Sequence, residues 1–318
     1  MSNYNIGDII QLTRQSIGMS QEELSDGICS VQTLSRIENG KVSVKKNTYQ
    51  QLMERMGRNG QKNYSVLKVE EFDVLEVMRE TQNLIFRKEY TEAEKQLDKL
   101  KKVLDLKEVI NIQYIMRKEA VIRYRKGYIS KEEYLKELEK TISLSISDYR
   151  QYIDKIYPFT AEEVSTLMNI ASAYGELEKN EIAISIYNML LNSLNTGYME
   201  KNKAIPFTLI LIHGAARMHG GEGRYQIAIQ MCWNAIHISK QYHLFTILPN
   251  AYGEISWNMM KQIEKGEREE KEKEEVKKIM RQGYAAAALS KQHVIGDVIK
   301  NQYYKYFDED IYASSNPE

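Results

Sequence analysis

Apolar residues recur at helical spacing along nearly the whole chain. In the first 56 residues the apolar stripes are short and are separated by glycine-containing turns, and from about residue 69 onward helix is predicted to follow helix. Only 4 prolines occur in the 318 residues, which favours uninterrupted helices, because a proline inside a helix costs about 3 kcal/mol. The pattern predicts an all-α protein.

Two short helices joined by a tight turn are predicted near the start of the chain. Ser20 with Glu23 three residues later is a capping box that starts the first helix, and Asp26-Gly27 end it. Ser30 is the N-cap candidate of the second helix, which Asn39-Gly40 close. A positioning helix, a short turn and a second helix make up a helix-turn-helix, in which the second helix enters the DNA major groove.

The rest of the chain is predicted to form pairs of helices. Residues 57–68 are polar and contain glycine, so they are interpreted as a linker, with a helix start near Ser65 as the alternative. In the clearest pair, Leu167 is followed by Ala171 four residues later, by Tyr174 and then by Ala183. Small residues at such positions let two antiparallel helices pack closely, as in helical repeats. Further units are predicted around Ala216 and Ala228, at 77–104, at 112–146 and at about 245–264 with 272–291, followed by a capping helix at 294–307.

The string from Ser20 to Lys41 resembles the phage-repressor (XRE) type of helix-turn-helix. The resemblance implies a DNA-binding domain over residues 1–63 with a core of Leu24, Ile28, Leu34 and Ile37. Glutamine can bond adenine and arginine can bond guanine bidentately, and valine can contact a thymine methyl, so the outward side chains suit base reading. The predicted DNA-binding residues are Gln21, Ser30, Val31, Gln32, Ser35, Arg36, Asn39 and Lys41. The alternative is a helix-turn-helix retained for dimerisation or protein binding.

An XRE-type domain followed by tetratricopeptide-like repeats resembles the Rgg/PlcR class of peptide-sensing quorum regulators, which are of the RRNPP type. The resemblance implies a right-handed helical repeat array over residues 64–318 that forms a homodimer. It also implies two ligands: a double-stranded DNA operator, and a short signalling peptide in the concave groove of the array. Offsets of one and two residues from the repeat core give the predicted peptide-binding residues Arg117, Val121, Met168, Ser172, Glu176, His213 and Arg217, and the amides Asn169 and Asn250 are added to them as backbone clamps.

Amide and guanidinium groups among these positions suit a peptide ligand. Asn169 and Asn250 offer both a donor and an acceptor to a peptide backbone, and Arg117 or Arg217 can hold a C-terminal carboxylate. Alternatively, Asn169 forms a hydrogen bond between repeats, and either arginine is solvated or ion-paired. For the protein as a whole, the alternative function is a constitutive DNA-tethered adaptor whose repeats bind a protein partner.

Charge and composition narrow these possibilities. The chain has 44 basic and 44 acidic residues, so a DNA-binding function rests on the local motif alone. Residues 1–63 carry 8 basic and 6 acidic side chains, a small surplus that predicts weak non-specific affinity and a need for dimerisation. We expect no membrane span and no secretion signal, and the two distant cysteines suit a reduced cytoplasm.

No catalytic set, cofactor site or metal site is predicted. The histidines at 213, 219, 237 and 243 lack metal-site spacing with acids or cysteines. Residues 220–223 read Gly-Gly-Glu-Gly and lack the Gly-Lys-Ser/Thr of a phosphate-binding loop. An enzyme built on a repeat scaffold is therefore disfavoured.

Overall fold

A computed structural model describes residues 6–42, 44–58 and 72–312. Every regular element within these ranges is a helix, which confirms the predicted all-α class. The chain divides into two compact units, Met1–Lys201 and Asn202–Glu318. Most of the predicted linker at 57–68, the alternative helix start near Ser65 and the predicted domain boundary at 63–64 lie outside the described residues. The boundary therefore stays a prediction.

A small helical bundle opens the first unit. Its helices are α1 (Ile6–Ser16), α2 (Gln21–Ser25), α3 (Val31–Glu38) and α4 (Lys46–Arg55). The predicted capping box is present, because the Ser20 hydroxyl accepts a hydrogen bond from the Glu23 N–H at 3.1 Å and the Glu23 carboxylate accepts one from the Ser20 N–H at 2.7 Å. Leu24, Leu34 and Ile37 lie in the core of the bundle, and Ile28 packs partly buried against it. Residues far apart in sequence thereby hold α3 against α1 and α2.

The first unit continues with helices that each pack on the next one along the chain. These are α5 (Phe72–Phe86), α6 (Tyr90–Val103), α7 (Val109–Arg125), α8 (Lys131–Ser143), α9 (Ala161–Glu176) and α10 (Asn180–Asn195), with a 3-10 helix at Tyr149–Tyr152. Alanines at the predicted contact positions, among them Ala93, Ala171 and Ala183, are fully buried between neighbouring helices. The helices α7 and α9 also contact each other. This is the pairwise stacking of a helical repeat array.

The second unit is also a run of consecutive helices, of which the last four each pack on the next one along the chain. It contains α11 (Lys201–Gly221), α12 (Tyr225–Gln241), α13 (Leu248–Glu264), α14 (Lys273–Leu289) and α15 (His293–Phe307). The predicted capping helix at 294–307 corresponds to α15, which packs on both α13 and α14. The core between the helices is formed by small and flexible apolar side chains, including Ala228, Cys232 and Met280. Neither unit, over the described residues, contains a helix long and apolar enough to cross a membrane.

Candidate functional site

The helix α3 presents one face to solvent and buries the other. Val31, Gln32 and Arg36 are exposed, and Ser35 is half-buried beside them. Leu34 and Ile37, on the opposite face, are buried in the bundle. The Ser30 hydroxyl caps α3 by accepting a hydrogen bond from the Thr33 N–H at 3.1 Å. The predicted base-reading side chains therefore share the open face of a capped helix.

A buried carboxylate fixes the position of α3. The side chain of Glu38 has no exposed surface, and it accepts hydrogen bonds from Arg14 Nε at 2.7 Å and from Arg14 Nη2 at 2.9 Å. Gln21 Nε2 donates a third hydrogen bond to Glu38 at 2.6 Å. The last residue of α3 is thus tied to α1 and to the first residue of α2. The side-chain amide NH2 of Gln21 is therefore used inside the bundle, and the residue is half-buried.

The remaining predicted DNA-binding residues follow α3. Asn39 and Lys41 are exposed, and Asn39 Nδ2 donates to the Ser35 carbonyl at 2.7 Å, which closes the end of the helix. Sequence reasoning missed the exposed Thr33 on α3 and the role of Arg14. Thr33 neighbours Gln32 and lies three residues before Arg36, so helical spacing was the available signal.

In the first unit, two of the predicted peptide-binding residues are engaged inside the protein. Arg117 on α7 pairs with Glu162 on α9 through Nε–Oε1 at 2.5 Å and Nη2–Oε2 at 2.9 Å, and both residues are buried. The carboxylate of Glu176 accepts hydrogen bonds from Tyr124 and Arg125. The other predicted positions are half-buried on α7 and α9: Val121, Met168, Asn169 and Ser172.

The second unit contains a cavity of about 440 Å³ between α11, α13 and α15. Three predicted residues, His213, Arg217 and Asn250, line it together. Sequence reasoning missed the other lining side chains, which are Pro249, Glu254, Trp257, Ile295, Val298, Ile299 and Gln302. Those on α13 follow Asn250 at helical spacing and could have been found from it. Those on α15 were missed because that helix was interpreted only as a cap.

The cavity has an uneven distribution of charge. Of its lining residues that the structure describes, Arg217 alone is a fixed cation, and it is exposed. Burial lowers the pKa of His213 to about 4, with a further contribution from repulsion by Arg217, so the imidazole is neutral near pH 7. Burial also raises the pKa of Glu254, whose carboxylate accepts a hydrogen bond from Asn258 Nδ2 at 2.9 Å. Attraction by Arg217 opposes that rise, so the cation of the cavity lies within electrostatic reach of a buried carboxylate.

Within the described ranges, no group of three or more histidine, cysteine, aspartate or glutamate side chains is placed to hold a metal ion.

Residues 10–62 match the family model of helix-turn-helix domains. A comparison with curated protein sequences gave no match.

Solved structures with a similar fold cover nearly the whole chain. PlcR of Bacillus thuringiensis in complex with the peptide PapR7 and DNA has a TM-score of 0.60 at 19% identity, over 93% of this chain and 99% of that chain. The apo form of PlcR has a TM-score of 0.58 at 16% identity, over 93% and 98%. ComR of S. thermophilus in complex with DNA and its signalling peptide ComS has a TM-score of 0.52 at 15% identity, over 95% and 99%.

These comparisons confirm the predicted helix-turn-helix and the predicted architecture. At identities of 15–19% the likeness to PlcR and ComR establishes the fold. The chain therefore consists of a helix-turn-helix domain of the matched family and a helical array with the fold of PlcR and ComR.

Proposed function

We propose that this protein is a transcription regulator that binds operator DNA through α3 and is switched by a short signalling peptide. The observation that carries the proposal is the open face of α3, where Val31, Gln32 and Arg36 are exposed on a capped and anchored helix. The match of residues 10–62 to helix-turn-helix domains supports it. The PlcR and ComR structures, solved with peptide and DNA, support the assignment of both ligands.

The peptide is proposed to bind in the cavity of the second unit. A peptide brings about one N–H and one C=O per residue, and burying these groups unpaired is costly. Asn250 and Gln302 line the cavity, and each offers a donor and an acceptor to such a backbone. Trp257, Val298 and Ile299 add an apolar wall for side chains. A volume of about 440 Å³ is within the range of small-ligand pockets, so it suits a short segment.

Arg217 is proposed to bind the C-terminal carboxylate of the peptide. Its guanidinium is exposed at the cavity, where its electrostatic attraction also acts on the Glu254 carboxylate. A planar guanidinium binds a carboxylate with two parallel hydrogen bonds, which gives both charge and orientation. In the first unit, Val121, Met168, Asn169 and Ser172 are half-buried side-chain positions that are kept as proposed peptide contacts.

We further propose that the protein is a homodimer in the cytoplasm, with a DNA-binding domain at residues 1–63 and a sensing and dimerisation array at 64–318. The small basic surplus of residues 1–63 supports dimerisation, because one such domain has little non-specific affinity to add to specific contacts. A two-fold dimer reads half-sites about 34–36 Å apart, or a multiple of that spacing. Sedimentation of the free and DNA-bound protein measures the assembly, and a monomer on bound DNA contradicts it.

Calorimetry on the full-length protein tests the peptide site. The ligands are synthetic peptides of the short open reading frames beside the gene. Arg217→Ala is expected to abolish binding of the free-acid peptide and to lower the affinity for its C-terminal amide little, since the amide lacks the carboxylate. Arg79→Ala, on an exposed arginine of α5, is the matched control. If no peptide binds at high micromolar concentration while the protein still binds DNA, the adaptor function is favoured instead.

A further inference from the structure

Arg58 lies just beyond the helix-turn-helix bundle and points away from it. The helix α4 (Lys46–Arg55) is terminated by Gly57, which has a φ of +75°, and the Arg58 N–H donates to the Met53 carbonyl at 2.8 Å. This reversal is the usual glycine-dependent end of an α-helix. It directs the next side chain out of the bundle core.

The Arg58 side chain is buried against the segment that starts α9. Arg58 is 6% exposed, and its Nη2 donates to the Pro158 carbonyl at 3.0 Å and to Glu163 Oε2 at 3.3 Å. Its Nε donates to the hydroxyl of Tyr157, and its guanidinium carbon lies 4.4 Å from the centre of the Tyr157 ring. These partners stand 99 to 105 residues later in the chain. The contact is therefore a second connection between the bundle and the array, in addition to the covalent one.

The partners of Arg58 are themselves rigidly held. Tyr157 packs against Tyr152 and Phe159, and its backbone N–H donates to Ser193 Oγ on α10 at 3.1 Å. The Glu163 carboxylate also accepts a hydrogen bond from the Thr160 N–H at 2.7 Å, which caps α9. A buried charge is stable only when it is paired and hydrogen-bonded, and both ends of this contact meet that condition. The Arg58 side chain thus has one defined binding position in the array, formed by Tyr157, Pro158 and Glu163.

The helix α9 connects the binding position of Arg58 to other parts of the first unit. Glu162, beside Glu163, holds Arg117 of α7, and α9 also carries the half-buried Met168 and Asn169. On the DNA-binding side, Arg55 of α4 donates to the carbonyl of Asp26 at the end of α2. A movement of α9 therefore has a chain of polar contacts through which it reaches the bundle that carries α3.

We infer that Arg58 is a positioning residue that fixes the orientation of the helix-turn-helix bundle on α9, and that peptide contact with Met168 and Asn169 of the same helix acts on DNA affinity through Arg58. The second part of the inference rests on the proposed function. A ligand changes DNA affinity only when it prefers one arrangement of the domains over another. When Arg58 is bound to Tyr157, Pro158 and Glu163, one arrangement of the bundle on the array is fixed. Breaking these contacts removes that constraint on the orientation of the bundle.

Spin-label distances in the full-length protein test the positioning role. Labels on cysteines at the exposed Glu54 and Lys140 report the distance between α4 and α8, in a Cys29→Ser background where Cys232 is fully buried. We expect one narrow distance distribution in the parent, and a broad one in both Arg58→Gln and Glu163→Gln. Glutamine still caps α9 in the second variant, because glutamine serves at that position of a capping box. A narrow, unshifted distribution in both folded variants overturns the inference.

The regulatory part is tested by peptide titration of DNA binding. Arg58→Gln is expected to bind peptide as the parent does, while the peptide-dependent change in DNA affinity is lost. Arg79→Gln, on an exposed arginine, is the control and keeps that change. An Arg58→Gln protein that responds to peptide as strongly as the parent overturns the regulatory part. A parent protein that binds no peptide contradicts the proposed function instead, and the distance measurement still decides the positioning role.

Discussion

Removing Arg14 should destabilise the DNA-binding bundle more than removing its partner Glu38. In Arg14→Met, the Glu38 carboxylate stays in a site with no exposed side-chain surface and loses two of its three hydrogen bonds. Leaving one charge of a buried pair without its partner costs about 3–5 kcal/mol. In Glu38→Leu, Arg14 keeps its hydrogen bond to the Met19 carbonyl at 2.9 Å, and its side chain is 11% exposed, whereas that of Glu38 is not exposed at all. We expect that variant to lose only about 1–3 kcal/mol.

The double variant Arg14→Met/Glu38→Leu separates the contribution of the ion pair to the stability of the bundle from that of apolar packing. Replacing a whole buried ion pair with apolar side chains is often neutral, so the double variant should be more stable than Arg14→Met alone. Native-state hydrogen exchange of the α3 amides measures this local free energy, which global unfolding of a protein with two compact units does not isolate. We expect exchange roughly 150- to 5,000-fold faster in Arg14→Met. A loss under about 1 kcal/mol, or a double variant less stable than the single one, refutes the reasoning.

Two further outcomes are expected from single residues. Arg36→Ala should weaken operator binding by about 1–3 kcal/mol and relax base preference at one position, whereas Lys41→Ala should weaken binding to all sequences and lower the slope of log affinity against log salt concentration by about one. Fluorescence anisotropy at several salt concentrations distinguishes the two variants. An unchanged operator affinity of Arg36→Ala removes Arg36 from the interface. Lys118→Met should stabilise the first unit by on the order of 4 kcal/mol at pH 7 and below. Lys118 is 4% exposed and hydrogen-bonded to Gln82, and burial, with repulsion by Arg117, lowers its pKa to about 7. Because unfolded lysine stays protonated until about pH 10.4, the penalty in the parent is complete below pH 7 and fades as the pH rises to about 10.4. Native-state hydrogen exchange of the α7 amides from about pH 6 to 10, corrected for the intrinsic exchange rate at each pH, should therefore show a shrinking advantage of the variant, and a pH-independent advantage contradicts the assignment.

Local features of the sequence were enough to predict the DNA-binding motif. The caps at Ser20 and Ser30 and the buried face of α3 depend on residues within one helix turn of each other. Their period and spacing are visible in the sequence because hydrogen bonds at a helix start join residues two or three apart. The repeat offset likewise selected His213 and Arg217 on α11, and amide chemistry selected Asn250 on α13; all three line one cavity.

Only the tertiary structure decided which charged and polar groups meet. Arg14 pairs with Glu38 across 24 residues, Arg117 with Glu162 across 45, and Arg58 with Glu163 across 105. Such partners cannot be chosen from spacing, because many acids and bases of this charge-balanced chain are compatible with any local pattern. The same limit applies to α15, whose apolar residues close the cavity only after α11 and α13 have packed beneath them. The physical reason is that helix formation is governed by near neighbours, whereas burial of a charge or closure of a pocket depends on the whole packed unit.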